Sequence, residues 1–208
     1  MIIEKISFSG NWSNCYLVGN KREMVVIDSG KGGARVVDKI ISLTEGISSI
    51  IITHGHFDHI AGNELLKEEF SANISISVEE QKFLTDPTQN LSQFVEVSDI
   101  TGPPADVLLQ EGEEITVADW TFTVLLTPGH SPGSICLYCE KEDVLFCGDL
   151  IFRNGVGRTD LPGGNLEKLR KSINKKVLVL PENTRVFPGH GEETTVGRFK
   201  NDIWQEIC

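Results

Sequence analysis

The chain has 208 residues, 39% of them hydrophobic, and a formal net charge of −11 at pH 7. That charge argues against binding the phosphate backbone of nucleic acid, which needs a basic face, and no stretch approaches the roughly 18 apolar residues needed to span a membrane. Five cysteines at irregular spacing argue against a disulfide framework and for a reducing, cytoplasmic setting.

The opening "MIIEKISFSG" reads as a strand over Ile2–Phe8 rather than a signal peptide, because it carries Glu4 and Lys5 and lacks a small-residue cleavage site. Strands are expected next at Cys15–Val18 and Met24–Ile27, the latter running into the turn "DSGKGG". Val36, Val37, Ile40, Ile41 and Leu43 recur at helical spacing and predict a helix over Ala34–Leu43. "SSIIITHGH" begins as a short apolar strand of the kind buried on both faces, a helix follows from near Ile60 to Phe70, and "NISIS" is a further strand. Residues 85–113 read as a long connection without regular elements, and "EEQKFLTDPTQNLSQF" within and before it is a candidate pocket-shaping segment.

The second half opens with a hairpin, "EITVADWTFTVLL", turning at Ala118 and Asp119. Strands are expected at "SICLYCE", "DVLFCGD", "KVLVL" and "TRVFPG", with helices from Leu166 to Lys171 or beyond and from Thr195 to the C-terminus. Cys136 and Cys139 form a C-x-x-C pattern, but residues three apart on a strand point to opposite faces, so the pair reads as structural. No linker or low-complexity tract interrupts the chain, which predicts a single domain over residues 1–208 with two sheets and outer helices.

All five histidines fall at strand ends. His54, His56 and His59 share "THGHFDHIAGNE" with Asp58, while His130 stands in "TPGHSPG" and His190 in "FPGHGEE". Asp149 in "FCGDL" has the same placement. A rigid sheet holds such short loops in register, so these seven side chains can converge on one rim. His54 and His56 can turn both rings toward one ion, and the adjacent Asp58 and His59 can reach a second. Imidazole and carboxylate donors suit zinc, iron or manganese, and seven of them exceed the needs of a single ion. Two divalent ions about 3.5–4 Å apart, bridged by a carboxylate, would use the full set.

The pattern H-x-H-x-D-H with the later His130, Asp149 and His190 resembles the metallo-β-lactamase superfamily, from about Asp28 to His190. The resemblance implies an α+β fold, a four-layer αβ/βα sandwich of two mixed sheets with helices outside. It also implies that His54, His56 and His130 hold one ion, that Asp58, His59 and His190 hold the other, and that Asp149 bridges them. Zinc β-lactamases of the main subclass fit poorly, since they carry arginine at the place of His59 and cysteine at the place of Asp149.

The segment "LIFRNGVGRTDLPGGN" is similar to the glyoxalase II (hydroxyacylglutathione hydrolase) group and its persulfide dioxygenase relatives. That likeness implies a small-molecule substrate, a glutathione thioester, hydrolysed by a hydroxide bridging two ions, zinc above all, with Asp58 and Asp149 orienting it. Arg158 is then a candidate partner for a substrate carboxylate, with an ion pair to Asp160 as its ordinary role. The helical C-terminal domain that supplies glutathione contacts in full-length glyoxalase II has no counterpart in this sequence. Three alternatives stay open: a persulfide dioxygenase with one iron on His54, His130 and Asp149, a lactone or other ester hydrolase, and a non-catalytic metal-binding module.

Overall fold

Apolar runs four to seven residues long, bounded by glycine, proline and polar turns, become strands, and the turns at their ends carry the histidines and aspartates. A computed structural model describes residues 1–10, 12–95 and 99–205. The chain divides into two compact units, Met1–Leu109 with Thr116–Trp120, and Gln110–Ile115 with Thr121–Cys208.

The first unit is built on β1 (Ile2–Ile6), β2 (Cys15–Gly19), β3 (Met24–Ile27), α1 (Ala34–Leu43), β4 (Ile47–Ile51), α2 (Phe57–Ile60), α3 (Asn63–Phe70), β5 (Asn73–Ser77), α4 (Ser92–Val95) and β6 (Val107–Leu109). Among the described residues its sheet has the order β1-β2-β3-β4-β5-β6. The first two pairings are antiparallel and the rest parallel. The parallel register aligns Ile27 with Ile51 and Ile51 with Ser75, so the loops after β3, β4 and β5 leave from one edge of the sheet. Leu17, Val26, Val36, Ile40, Ile50, Leu66 and Ile74 pack beneath that edge in one fully buried cluster.

Two expectations for this unit need correction. The helix expected from Ile60 to Phe70 is broken at Gly62, whose amide leaves the helical ladder for Gly30 O and Ser29 Oγ, both at 3.1 Å. Residues 85–113 are not structureless. They contain α4 and the edge strand β6, three residues long and too short to show a pattern. Asp106 secures β6 by accepting from Ile74 N at 2.8 Å and pairing with Lys67. Residues 96–98 of this stretch lie outside the described residues.

The rest of the chain, most of it the second unit, forms β7 (Glu114–Val117), β8 (Trp120–Leu126), β9 (Ile135–Cys139), β10 (Val144–Gly148), β11 (Ile151–Phe152), β12 (Gly155–Val156), α5 (Leu166–Ser172), β13 (Arg185–Pro188), β14 (Thr194–Thr195) and α6 (Val196–Arg198). The described sheet order is β14-β13-β10-β9-β8-β7, and β11 pairs with β12 as a small separate hairpin. β10 and β13 run parallel, while β9 is antiparallel to both β8 and β10. β8, β10 and β13 therefore all point the same way, and their trailing loops share an edge.

The strand expected at "KVLVL" is instead a π-helical turn, Ile173–Val177, continuing α5, with Leu178 N bonded to Ile173 O at 3.0 Å. Leu169, Ile173 and Val177 fall on one buried helical stripe, whereas Val179 is 70% exposed. Helical spacing thus overrode the β-branched composition of the segment. The terminal helix starts as expected, with Thr195 capping α6, and continues through Trp204; residues 206–208 lie outside the described part.

Candidate metal centre

In the first unit, the loop released by β4 carries Thr53 to His56 and feeds directly into α2, which holds Asp58 and His59. All four candidate ligands are buried. His54 Nε2 and His56 Nδ1 approach to 3.0 Å, and the His54 and His59 rings lie 4.0 Å apart between centroids. Asp58 Oδ2 stands 3.6 Å from His59 Nε2.

Asp28, the residue after β3, orients this group. Its Oδ2 accepts from His59 Nδ1 at 2.8 Å and from Thr53 Oγ1 at 2.7 Å, and its Oδ1 accepts from Thr53 N at 2.8 Å. A carboxylate oxygen flanked by donors can only accept, so the His59 proton sits on Nδ1 and Nε2 presents its lone pair. Asp28 adopts φ 53°, a left-handed conformation that aspartate tolerates better than most side chains.

In the second unit, His130 follows β8, Asp149 follows β10 and His190 follows β13. Gly189 N donates to Gly148 O at 2.8 Å and ties the last two loops together. Asp149 Oδ2 lies 3.6 Å from His130 Nε2 and 3.5 Å from His190 Nε2. His130 Nδ1 donates to the Arg158 carbonyl at 2.8 Å, which again leaves the lone pair on Nε2. Gly129, before His130, has no room for a side chain, since a Cβ there would meet Leu169 Cα at 2.3 Å.

These donors fit divalent metal. Separations of 3.5–3.6 Å are too long for a hydrogen bond. They match ligands sharing one tetrahedral ion, whose bonds of about 2.0–2.2 Å set them roughly 3.3–3.6 Å apart. Nδ1 protonation enforced by a carboxylate and a carbonyl is the outer-shell arrangement that readies imidazoles for a metal. Among the described residues, no cysteine joins these groups. Cys15, Cys136, Cys139 and Cys147 are buried free thiols, and burial pushes Cys136 up to about 12. Cys136 and Cys139 both lie on β9, as the strand reading of the C-x-x-C pattern requires.

Arg158 is placed differently from the ligands. Its side chain is 61% exposed and grips Asp160 in a two-pronged ion pair at 2.8 Å, while its carbonyl orients His130. The hydrogen bond from Arg158 holds the Asp160 carboxyl down at about 2. A cleft of about 670 Å³ opens beside His190, walled by Phe152, Arg153, Asn154 and Glu192. Asp28, Thr53 and Glu80, whose carboxylate accepts from Gly55 N at 2.9 Å, received no role from the sequence. For Asp28 a signal existed, since an acid directly after a buried strand has the same placement as Asp149.

The family model of the metallo-beta-lactamase superfamily matches residues 12–190. The chain belongs to the metallo-β-lactamase superfamily. Its metallo-β-lactamase fold, two mixed sheets with helices, is the one expected from the motif. It is similar to a hydroxyacylglutathione hydrolase, GloC, from Haemophilus influenzae, with 34% identity over 96% of this chain and 95% of that protein. A crystal structure of the BLEG-1 B3 metallo-beta-lactamase aligns with TM-score 0.91 and 38% identity, covering 98% of this chain and 99% of the other. A di-iron-bound structure of TTHA1623 aligns with TM-score 0.85 and 32% identity over 97% and 99% of the two chains. As a member of this metallo-hydrolase superfamily, the protein carries His/Asp clusters with metal-binding spacing in its own chain.

Proposed function

We propose that residues 1–208 act as one catalytic domain, a binuclear metallohydrolase that cleaves small thioesters of the hydroxyacylglutathione type. The observation that carries the substrate class is the similarity to GloC over nearly the full length of both proteins. That protein aligns over 95% of its own length, so the likeness supporting this reading is not confined to one segment.

In this reading His54, His56 and His130 hold one divalent ion, Asp58, His59 and His190 hold the second, and Asp149 bridges. Zinc is the preferred metal, with iron or manganese as alternatives that N/O donors accommodate equally. The bound ions would supply Lewis acidity and lower the pKa of a water to near neutrality. Asp28 and the Arg158 carbonyl keep the lone pairs of His59 and His130 turned toward the ligand position. The Asp58 and Asp149 carboxylates would orient the attacking water. Phe152 offers the cleft beside His190 an apolar wall, and Arg158 receives a substrate carboxylate only by exchanging it for Asp160. A reducing, cytoplasmic setting belongs to the same reading, since the described cysteines are buried free thiols.

The test is elemental analysis of protein purified without added metal, with S-lactoylglutathione hydrolysis assayed on the same sample. Close to two ions per chain with thioester cleavage is the expected result. A single iron with oxygen uptake on glutathione persulfide and no cleavage would overturn it in favour of the dioxygenase. The similarity to a structure named as a B3 metallo-beta-lactamase makes a β-lactam the second substrate class to assay.

A further inference from the structure

The residues on either side of His56, Gly55 and Phe57, each have a backbone amide tied to a buried residue from another part of the first unit. Gly55 N donates to Glu80 Oε2 at 2.9 Å, and Phe57 N donates to Asn90 O at 2.9 Å. Glu80 and Asn90 are both 0% exposed. Asn90 is itself fixed on three sides, with Nδ2 donating to Phe83 O at 3.0 Å and to Ile100 O at 2.8 Å, and Oδ1 accepting from Ser92 N at 3.0 Å. Phe83 closes the remaining side, because a Cβ on Gly55 would lie 2.2 Å from Phe83 Cβ. The loop therefore cannot shift toward Phe83, and its amides cannot rotate away from Glu80 and Asn90 without losing a buried hydrogen bond.

A buried carboxylate is costly unless it is well hydrogen-bonded. An apolar side chain at position 80 would avoid that cost but would leave the Gly55 amide without this acceptor. A carboxyl acceptor held against the Gly55 amide, between His54 and His56, fixes the angle at which the two rings leave the backbone.

We propose that Glu80 and Asn90 are positioning residues for the His54–His56 loop, gripping the amides of Gly55 and Phe57 so that the imidazole between them is set for metal before the metal arrives. The proposal rests on the reading of His54 and His56 as ligands to one ion. It also gives the segment from Glu79 to Phe94 a role as the foundation of the metal loop.

The experiment compares the parent protein with Glu80→Asp, Glu80→Gln and Asn90→Asp. Glu80→Asp keeps the charge but shortens the acceptor by one methylene, Glu80→Gln keeps the length and an acceptor oxygen, and Asn90→Asp removes the donor to Phe83 and Ile100. Amide hydrogen exchange is read on metal-free protein, and zinc affinity by competition with a chromophoric chelator. Gly55 and Phe57 amides are expected to be protected in the parent and in Glu80→Gln. Gly55 should lose protection in Glu80→Asp, and one zinc step should weaken by roughly 10–100-fold, with circular dichroism unchanged. Parent-like zinc binding in Glu80→Asp, or an unprotected Gly55 amide in the parent, overturns the proposal. If Glu80→Asp does not fold, Asn90→Asp decides by the Phe57 amide and the same zinc step. A parent that binds no zinc defeats the metal reading instead, while the amide data still decide whether the grip exists.

Discussion

Single side chains set the chemistry of each half-site, and Asp28 shows how. Three donors converge on it, from Thr53 N, Thr53 Oγ1 and His59 Nδ1. Asp28→Asn keeps the shape and tolerates the left-handed backbone, but it turns an NH2 toward at least one of those donors. Each buried donor left without an acceptor costs about 1–3 kcal/mol, and a disturbed outer-shell partner weakens metal binding by roughly 10–100-fold. Chelator competition and thermal unfolding of Asp28→Asn should show both losses; parent-like zinc affinity would mean that His59 does not depend on Asp28.

Arg158 and Asp160 make a second residue-scale case. The Asp160 carboxyl is held at about 2 in the fold against an ordinary value of 3.8. A depressed carboxylate stabilises the fold above its ordinary pKa, and that contribution is lost as pH falls from 3.8 through about 2. NMR titration of the side-chain carboxyl should find the midpoint near 2 in the parent and close to 3.8 in Arg158→Ala. If Arg158 also receives substrate, the same variant raises KM for S-lactoylglutathione and leaves kcat little changed. A fall in kcat with KM unchanged would argue against a binding role for the Arg158 side chain.

Elements show where pattern reading succeeds and where it misleads. α1 forms over Ala34–Leu43 as its periodicity predicts, with Val36 and Ile40 buried and Ile41 65% exposed. "KVLVL" misleads because a short apolar run rich in valine fits a strand, while the buried stripe Leu169, Ile173 and Val177 only appears when the preceding helix is read through it. A strand would put Val177 and Val179 on the same face; the helical turn buries one and exposes the other. Val177→Asp should therefore cost more than about 3 kcal/mol as an unpaired buried charge, and Val179→Asp within about 0.5 kcal/mol of zero. Urea unfolding of the two variants decides, and equal losses would restore the strand.

For the molecule as a whole, metal and folding are linked if the two clusters bind ions only when folded. Zinc at a hundred times its Kd should then add about 2.7 kcal/mol to the unfolding free energy. The thermal midpoint should rise with zinc concentration and fall on chelation. A midpoint indifferent to both would mean that the clusters bind no zinc in the native state.

The sequence by itself marked the candidate ligands and determined the superfamily and most strands, because these rest on local facts. Imidazoles and carboxylates stand out by type and spacing, and apolar runs between turns carry their period with them. Only the tertiary structure decided what supports those ligands. Asp28 and Glu80 lie 31 residues before and 25 residues after the groups they hold, His59 and Gly55. They arrive there because β3, β4 and β5 run parallel in one register and release their loops at one edge. Hydrogen bonds between distant loops leave no periodic trace in a chain, so Glu80 went unmarked and Asp28, though placed at a strand end like Asp149, was given its partners only by the fold.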